Sequence, residues 1–364
     1  MKSPVRLLPL SVIIVCLIIL VLLLPSAASA WFFNSANAQL ARAASLPADS
    51  PVRVSTLNDA NAQLTQASGL AQNPRIALAF ARGWLEHYKP QRAVDSLQTS
   101  GNVLHDDFMA QFVWGNAEWS AGNHAAAFEH WRQAGALKYF TEEAHRALFR
   151  DDWSQAENYA RIAIGIAPQD ADSHFLLADA LVNQRKNDDE AMRELERAAQ
   201  IVGGGDNEFL STILSRQGEL LEIQGKYSQA IEYFTRARKV APIDARPRTD
   251  YARTILKINP AATSEARDLL TQVVTDSSWY IDAYILLANL AEKDGELAQA
   301  ENWYKTGLSK NPNDARLFFP LGEFYARQKR IGDGKDTLTL ALKYETRPDV
   351  LQAISRALTQ LSAK

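Results

Sequence analysis

The sequence predicts an all-α solenoid of paired helices, and three observations predict it. First, a pattern of small and bulky apolar residues recurs about every 34 residues: Gly218, Ala230, Phe234, Ala237 and Pro242 are followed at the same offsets by Ala288, Ala300, Tyr304, Gly307 and Pro312. Second, the spacing i, i+4, i+7 in each second helix puts a small, a large and a small residue on one face, which lets a neighbouring helix approach closely beside a filled groove. Third, glycine and proline punctuate the pattern where helices must end. Gly122, Gly225 and Gly295 lie between the helices of a pair, and Pro168, Pro242 and Pro312 stop second helices.

The chain opens with a different kind of element. Lys2 and Arg6 precede an apolar stretch from Leu7 to Leu24, which as a helix would reach about 27 Å, close to the thickness of a hydrocarbon core. Residues 1–33 are therefore expected to be a cytoplasmic N-terminus and a transmembrane anchor that meets the membrane through residues 7–24. By the positive-inside rule the charged start stays inside and the rest of the chain lies on the extracytoplasmic side, a single pass in the cytoplasmic (inner) membrane. The aromatic cluster Trp31, Phe32 and Phe33 suits a membrane interface. The alternative is a signal peptide: Pro25 breaks the helix, and Ala28 and Ala30 form a cleavage pattern that would release a periplasmic or secreted protein after Ala30. Cys16, the only cysteine, lies inside the apolar run, so nothing beyond it can form a disulfide. Neither Asn-x-Ser nor Asn-x-Thr occurs, which together with the cysteine-free remainder leans toward a bacterial envelope.

Residues 34–73 are rich in Ala, Ser, Asn and Gln, with Pro47 and Pro51 in their middle, and read as a spacer with two short helices flanking the prolines. The run Asn34, Ala36, Asn37, Ala38, Gln39, Leu40 returns as Asn58, Ala60, Asn61, Ala62, Gln63, Leu64, an echo read as a coincidence of composition.

The periodic array occupies residues 74–346. Its first helices carry a small residue at Ala81, Gly115, Ala144, Ala178, Gly218, Ala252, Ala288 and Gly322. The partner positions in the second helices are Ala93, Ala127, Ala156, Ala191, Ala230, Ala266, Ala300 and Gly334, followed four residues later by Leu97, Trp131, Ala160, Leu195, Phe234, Leu270, Tyr304 and Leu338. This pattern resembles the tetratricopeptide repeat, W-x2-L-G-x2-Y, then A-x3-F, then P, over seven or eight copies. The resemblance implies a right-handed superhelix whose first helices line a concave, partner-binding face. The chain departs from the pattern in several places. The opening aromatic survives only as Phe140, Tyr284 and Phe318 and is Ala77 or Arg248 elsewhere, the third copy is shortened near Tyr139, Gly203 to Gly205 lengthen a junction, and a two-residue insertion around Asn259 and Pro260 distorts a later copy. Residues 347–364 supply a capping helix, Asp349 to Leu361, with Val350, Ile354, Ala357, Leu358 and Leu361 inward.

Chemistry-bearing motifs are weak. Gly203 to Gly205 follow a helix rather than a strand, and Gly332, Gly334 and Lys335 lack the upstream glycine of a nucleotide loop. The six histidines form no H-E-x-x-H, Asp151 with Asp152 and Asp188 with Asp189 read as helix caps, and the exported part has no cysteine nucleophile. No cofactor and no metal are expected, and a formal charge of -3 argues against nucleic acid. The expectation is a non-catalytic scaffold for proteins or peptide segments, with an enzyme or polysaccharide-processing component using the array as a substrate groove as the alternative.

For the concave face the repeat phase singles out Phe112, Asn116 and Trp119 at i, i+4 and i+7, and Phe175, Asp179, Arg253, Asn289, Phe319 and Glu323 at matching positions in later copies. The lysine and asparagine clamp of chaperone-binding family members is replaced here by residues such as Phe112 and Asn116, or Ser215 and Glu219, so a chaperone-tail receptor is not expected.

Overall fold

The structure, a computed structural model, describes residues 10–71, 73–100 and 104–362, with side chains from Leu23 onward. Among the described residues it holds nineteen helices and no strand. Two long N-terminal helices, α1 (Leu10–Ala44) and α2 (Pro51–Leu70), precede eight helix pairs. These are α3 (Pro74–Glu86) with α4 (Pro90–Gln98), α5 (Phe108–Ser120) with α6 (His124–Gln133), α7 (Leu137–Phe149) with α8 (Trp153–Ile166), and α9 (Ala171–Gln184) with α10 (Asp188–Val202). There follow α11 (Asn207–Ile223) with α12 (Tyr227–Val240), α13 (Ala245–Ile258) with α14 (Thr263–Asp276), α15 (Ile281–Lys293) with α16 (Leu297–Lys310), and α17 (Ala315–Arg327) with α18 (Ile331–Tyr344). The last helix is α19 (Pro348–Ser362). The chain divides into two compact units, Met1–Gln169 and Asp170–Lys364.

In the first unit, the echo between Asn34 and Leu64 has a packing cause and is no coincidence. Ala36, Leu40 and Ala43 on α1 match Ala60, Leu64 and Ala67 on α2, each a small, large, small stripe at i, i+4 and i+7, and all six are buried in one cluster with Leu57. Two copies of one stripe pack face to face, so residues 34–73 hold the second half of α1 and all of α2, joined by a tight turn through Pro47. Proline at the first position of α2 leaves no donor unsatisfied there. Pro25 sits inside α1, and four residues on, Ser29 is buried and its hydroxyl donates to the carbonyl of Ala67 at 2.8 Å. Among the described residues no helix is long and apolar enough to cross a membrane. The stretch Leu7–Leu24 expected to do so lies outside the described residues as far as Pro9, and only its helical backbone is described from Leu10 to Leu22.

The helix pairs close as the offsets require. At Gly115, Gly218 and Gly322 the absent side chain is replaced by the bulky residue of the paired helix: an added Cβ would stand 2.4 Å from Trp131, 2.5 Å from Phe234 and 2.7 Å from Leu338. The glycines thus mark where two backbones come closest. The residue after the small one can serve the same joint, since Trp131 donates its indole N–H to Asn116 Oδ1 at 3.2 Å and Tyr304 its hydroxyl to Asn289 Oδ1 at 2.9 Å, fifteen positions apart both times.

Turns follow the same logic. Gly122, Gly225 and Gly295 take positive φ just past a helix end, where a side chain would be strained. Asp152 caps α8 by accepting from the Gln155 amide, whereas at α10 the cap is Asn187, with Asp188 and Asp189 in the first turn. Ile354 and Leu361 of α19 are buried against Phe318 and Leu338, covering the end of the second unit.

Candidate functional site

The second unit carries a line of charges across successive first helices. Asp206, Asp244 and Asp314 cap α11, α13 and α17 through the backbone amides of Phe209, Arg246 and Arg316, which fixes where each helix starts and hence which side chains face its neighbours. Asp179 on α9 pairs with Arg216 on α11, and Arg216 donates to Glu219 at 2.7 Å. Glu219 also accepts from the Nε and a terminal N–H of Arg246 on α13, at 2.9 and 2.6 Å. Arg253 donates to Asp250 at 2.7 Å within α13 and stands 4.0 Å from Asp282 at the start of α15. Opposite charges alternate from α9 to α15, and each guanidinium orders a neighbouring carboxylate.

Burial decides how these groups titrate. Burial raises Glu219, but Arg246 and Arg216 outweigh it and hold the carboxyl below its ordinary value. Asp250 is 3% exposed, and burial pushes it up to about 7, aided by Glu219 and opposed by Arg253 and Arg246. Its Oδ2 has no hydrogen-bond partner, with the Arg246 Nε 3.9 Å away. Burial likewise raises Tyr280, with Asp250 and Asp282 adding to it.

These side chains enclose a cavity of about 340 Å³ lined by Glu219, Arg246, Asp250, Arg253, Tyr280, Asp282, Arg316 and Trp279, the last 65% exposed at its rim. A second, more apolar groove of about 560 Å³ shares Trp279 and runs along Val240, Pro242 and Ile243. The arrangement offers hydrogen bonds and charge to a bound group and an apolar ledge beside it.

The residues singled out from sequence divide in two. Asp179 and Arg253 belong to the charged line just described. Phe112 is half-buried, 5.0 Å from the Tyr139 ring and 6.2 Å from that of Phe140, and Trp119 stacks on His124 at 4.1 Å. Asn116 and Asn289 are taken up by the joint bonds to Trp131 and Tyr304. Phe175 lies edge-on to Phe209 at 5.6 Å, Phe319 packs beside Ile354 and Leu338, and Glu323 is exposed. Sequence reasoning did not reach Arg216, Arg246 or Asp250, and met Glu219 only as a residue in place of the chaperone clamp. The available signal was the opposite charges at i, i+3 and i, i+4 along one face of α11 and α13, which by themselves describe any solvated helix face. Among the described residues no three His, Cys, Asp or Glu side chains are grouped to hold a metal ion.

Residues 169–242 and 262–318 each match a family model described as tetratricopeptide repeat. These two segments are tetratricopeptide repeats. Of the charged line, Asp179, Arg216 and Glu219 lie in the first matched segment and Asp282 in the second, with α13 between them. No curated protein is significantly similar to the chain in sequence. Among solved structures, the human IFIT1 dimer with PPP-AAAA is 15% identical, with 84% of this chain and 77% of that one covered and a TM-score of 0.50. Pseudomonas aeruginosa pilF is 17% identical over 61% of this chain and 97% of its own, with a TM-score of 0.45. A thermophilic TPR protein of Thermus thermophilus is 16% identical over 52% and 100%, again with 0.45. At such identities the likeness to IFIT1 shows the fold alone, an array of paired helices.

Proposed function

We propose that the chain is a non-catalytic interaction scaffold, held in a membrane by its N-terminal helix, which presents its tetratricopeptide repeats on the extracytoplasmic side to bind other proteins. The observation that carries this reading is the line of alternating charges across α9, α11, α13 and α15. A face built from one to three charged side chains per repeat recognises an extended partner residue by residue, and its guanidiniums and carboxylates are already ordered by one another before binding. Repeat arrays serve such surfaces because each added pair extends the face without remaking the core.

The anchor has its own support. Helix α1 runs without a break from Leu10 to Ala44, so the apolar stretch leads straight into the α1–α2 hairpin. The Ser29 bond to Ala67 makes a residue that cleavage after Ala30 would remove part of that hairpin.

The test is capture of partners from solubilised membranes with the wild-type chain and with Arg253→Ala combined with Asp282→Ala. Loss of at least one partner from the double variant is expected, and equal recovery of every partner would reject the charged face as the binding surface. Intact mass spectrometry separates anchor from signal peptide: a mature chain that starts at Trp31 would rule the anchor out.

A further inference from the structure

We propose that the cavity between α11, α13, α15 and α17 receives a cationic side chain, arginine or lysine, of a partner polypeptide, with Asp250 and Asp282 as its acceptors and Trp279 at its rim. The inference rests on the scaffold reading and names the partner's chemistry at one point of the face.

Counting hydrogen-bond capacity decides the sign of the ligand. The three guanidiniums of the wall are engaged: Arg246 with Glu219, Arg253 with Asp250, and Arg316 with Asp314 through two bonds of 3.1 and 2.8 Å. The N–H groups they leave over belong to side chains that are 40%, 32% and 54% exposed, within reach of solvent. The buried unmet demand is for a donor. Asp250 Oδ2 is buried without a hydrogen bond, and the Asp282 carboxylate, 45% exposed, has Arg253 at 4.0 Å. An unsatisfied buried acceptor costs about 1–3 kcal/mol, and more when charged, so a donor brought in by a ligand removes a penalty the free protein carries. An anion would meet the same oxygen, once ionised, as a repulsion.

Position adds a second argument. Trp279 stands at the mouth with most of its ring exposed, and a cation over an indole face gains further attraction. The same ring opens the apolar groove along Pro242 and Ile243, the latter 74% exposed. The matching ligand is a segment with a cationic residue next to an apolar one, which a free metal ion or a simple amine does not supply.

Binding is then linked to protons, because a cation favours the ionised carboxylate. The groups facing Asp250 are Arg246 and Arg253 on its own helix, Glu219 from α11, Tyr280 and Asp282 from the start of α15, and Arg316 from α17. Glu219 is held low, and Arg246, Arg253, Arg316 and Tyr280 are raised, away from neutrality.

The test uses the full chain in detergent and calorimetric titration with the end-blocked peptide acetyl-Leu-Arg-Leu-amide. Its citrulline counterpart keeps the shape and loses the charge. The expected result is binding at least about tenfold tighter for the arginine peptide, strengthening from about pH 6 to about pH 8, since a tenfold change corresponds to about 1.4 kcal/mol, well within one charge-assisted bond. Asp250→Asn, and independently the more exposed Asp282→Asn, should lower that preference. Equal affinity for the two peptides overturns the proposal, as does absence of binding at millimolar peptide or an unchanged preference in both variants. Spermidine in place of peptide distinguishes the source of the cation: binding tighter than that of the peptide would also overturn it. Failure here with intact partner capture by the wild-type chain sinks the cation site and leaves the scaffold reading standing.

Discussion

Arg253 donates to one oxygen of Asp250 across a single turn of α13, at 2.7 Å, while the other oxygen of that carboxylate has no hydrogen bond at all. One partner is thus too little to offset the burial of the group, and Asp250 rises to about 7. The sign for stability follows. An acid whose pKa is higher in the folded protein than in the unfolded chain, near 3.9, adds stability fully present below about pH 4 and lost by about pH 7. Asp250→Asn removes this dependence. Between about pH 5 and pH 8 the wild type should lose roughly 1–3 kcal/mol relative to the variant, read as the difference between urea unfolding curves at each pH. Burial lowers His87 and His130, which pull the other way, but they are common to both proteins and cancel in the difference. A wild type and variant that change in parallel would sink the assignment of the raised acid to Asp250.

Gly218 and Phe234 are one joint shared by two helices. Alanine is the better helix former by about 1 kcal/mol, yet an added Cβ at Gly218 would meet the Phe234 ring at 2.5 Å. The clash wins: Gly218→Ala should destabilise by about 1–3 kcal/mol. Phe234→Leu makes room and should cost about 1 kcal/mol on its own, while the double variant should cost less than the sum of the two. Strict additivity in the double-mutant cycle would show that the two residues do not share the space.

These joints were legible from the sequence and the charged line was not, for a physical reason. Gly218 with Phe234, and Gly322 with Leu338, obey a steric rule that repeats in most copies, so periodicity alone finds them. Asp250 and Glu219 matter because their neighbours on other helices leave them buried and partly unsatisfied, a relation absent from the local spacing of charges. The aromatics Phe112 and Trp119 make the same point from the other side. Their spacing shows that they share a helix face, but whether that face meets a partner or the next helix depends on Tyr139, Phe140 and Phe128, which the fold brings in. Likewise the matched stripes of α1 and α2 stood in the sequence as an echo, and only their antiparallel packing gives it meaning.

Arg248 occupies the repeat position where the family pattern opens with an aromatic, and it is 5% exposed. It replaces packing by hydrogen bonds: its Nε donates to the carbonyl of Asp244 at 3.1 Å, one terminal N–H to that of Ile243 at 2.5 Å, and the other to Asp276 at 2.7 Å. The planar fork therefore ties the turn before α13 to the end of α14. Lysine keeps the charge but has no fork, so Arg248→Lys should cost about 1–2 kcal/mol and Arg248→Ala about 2–4 kcal/mol, measured by denaturant unfolding. A lysine variant as stable as the wild type would mean that the charge alone holds the turn.

The α1–α2 hairpin permits a prediction about where stability is lost rather than how much. Leu64 is fully buried between Leu40 and Leu57, and replacing it by alanine leaves a cavity worth about 2–5 kcal/mol. In a stacked array each element touches mainly its sequence neighbours, so this loss should stay local. Hydrogen exchange of the full-length Leu64→Ala protein should show α1 and α2 amides from residue 31 onward exchanging some ten- to a thousandfold faster, with α11 to α18 unchanged. Val54→Ala, at a position 48% exposed on the same helix, should leave both regions as they are. If Leu64→Ala instead accelerates exchange through the later helix pairs as well, the hairpin and the repeats unfold as one cooperative body, and the nearest-neighbour account of this chain is wrong.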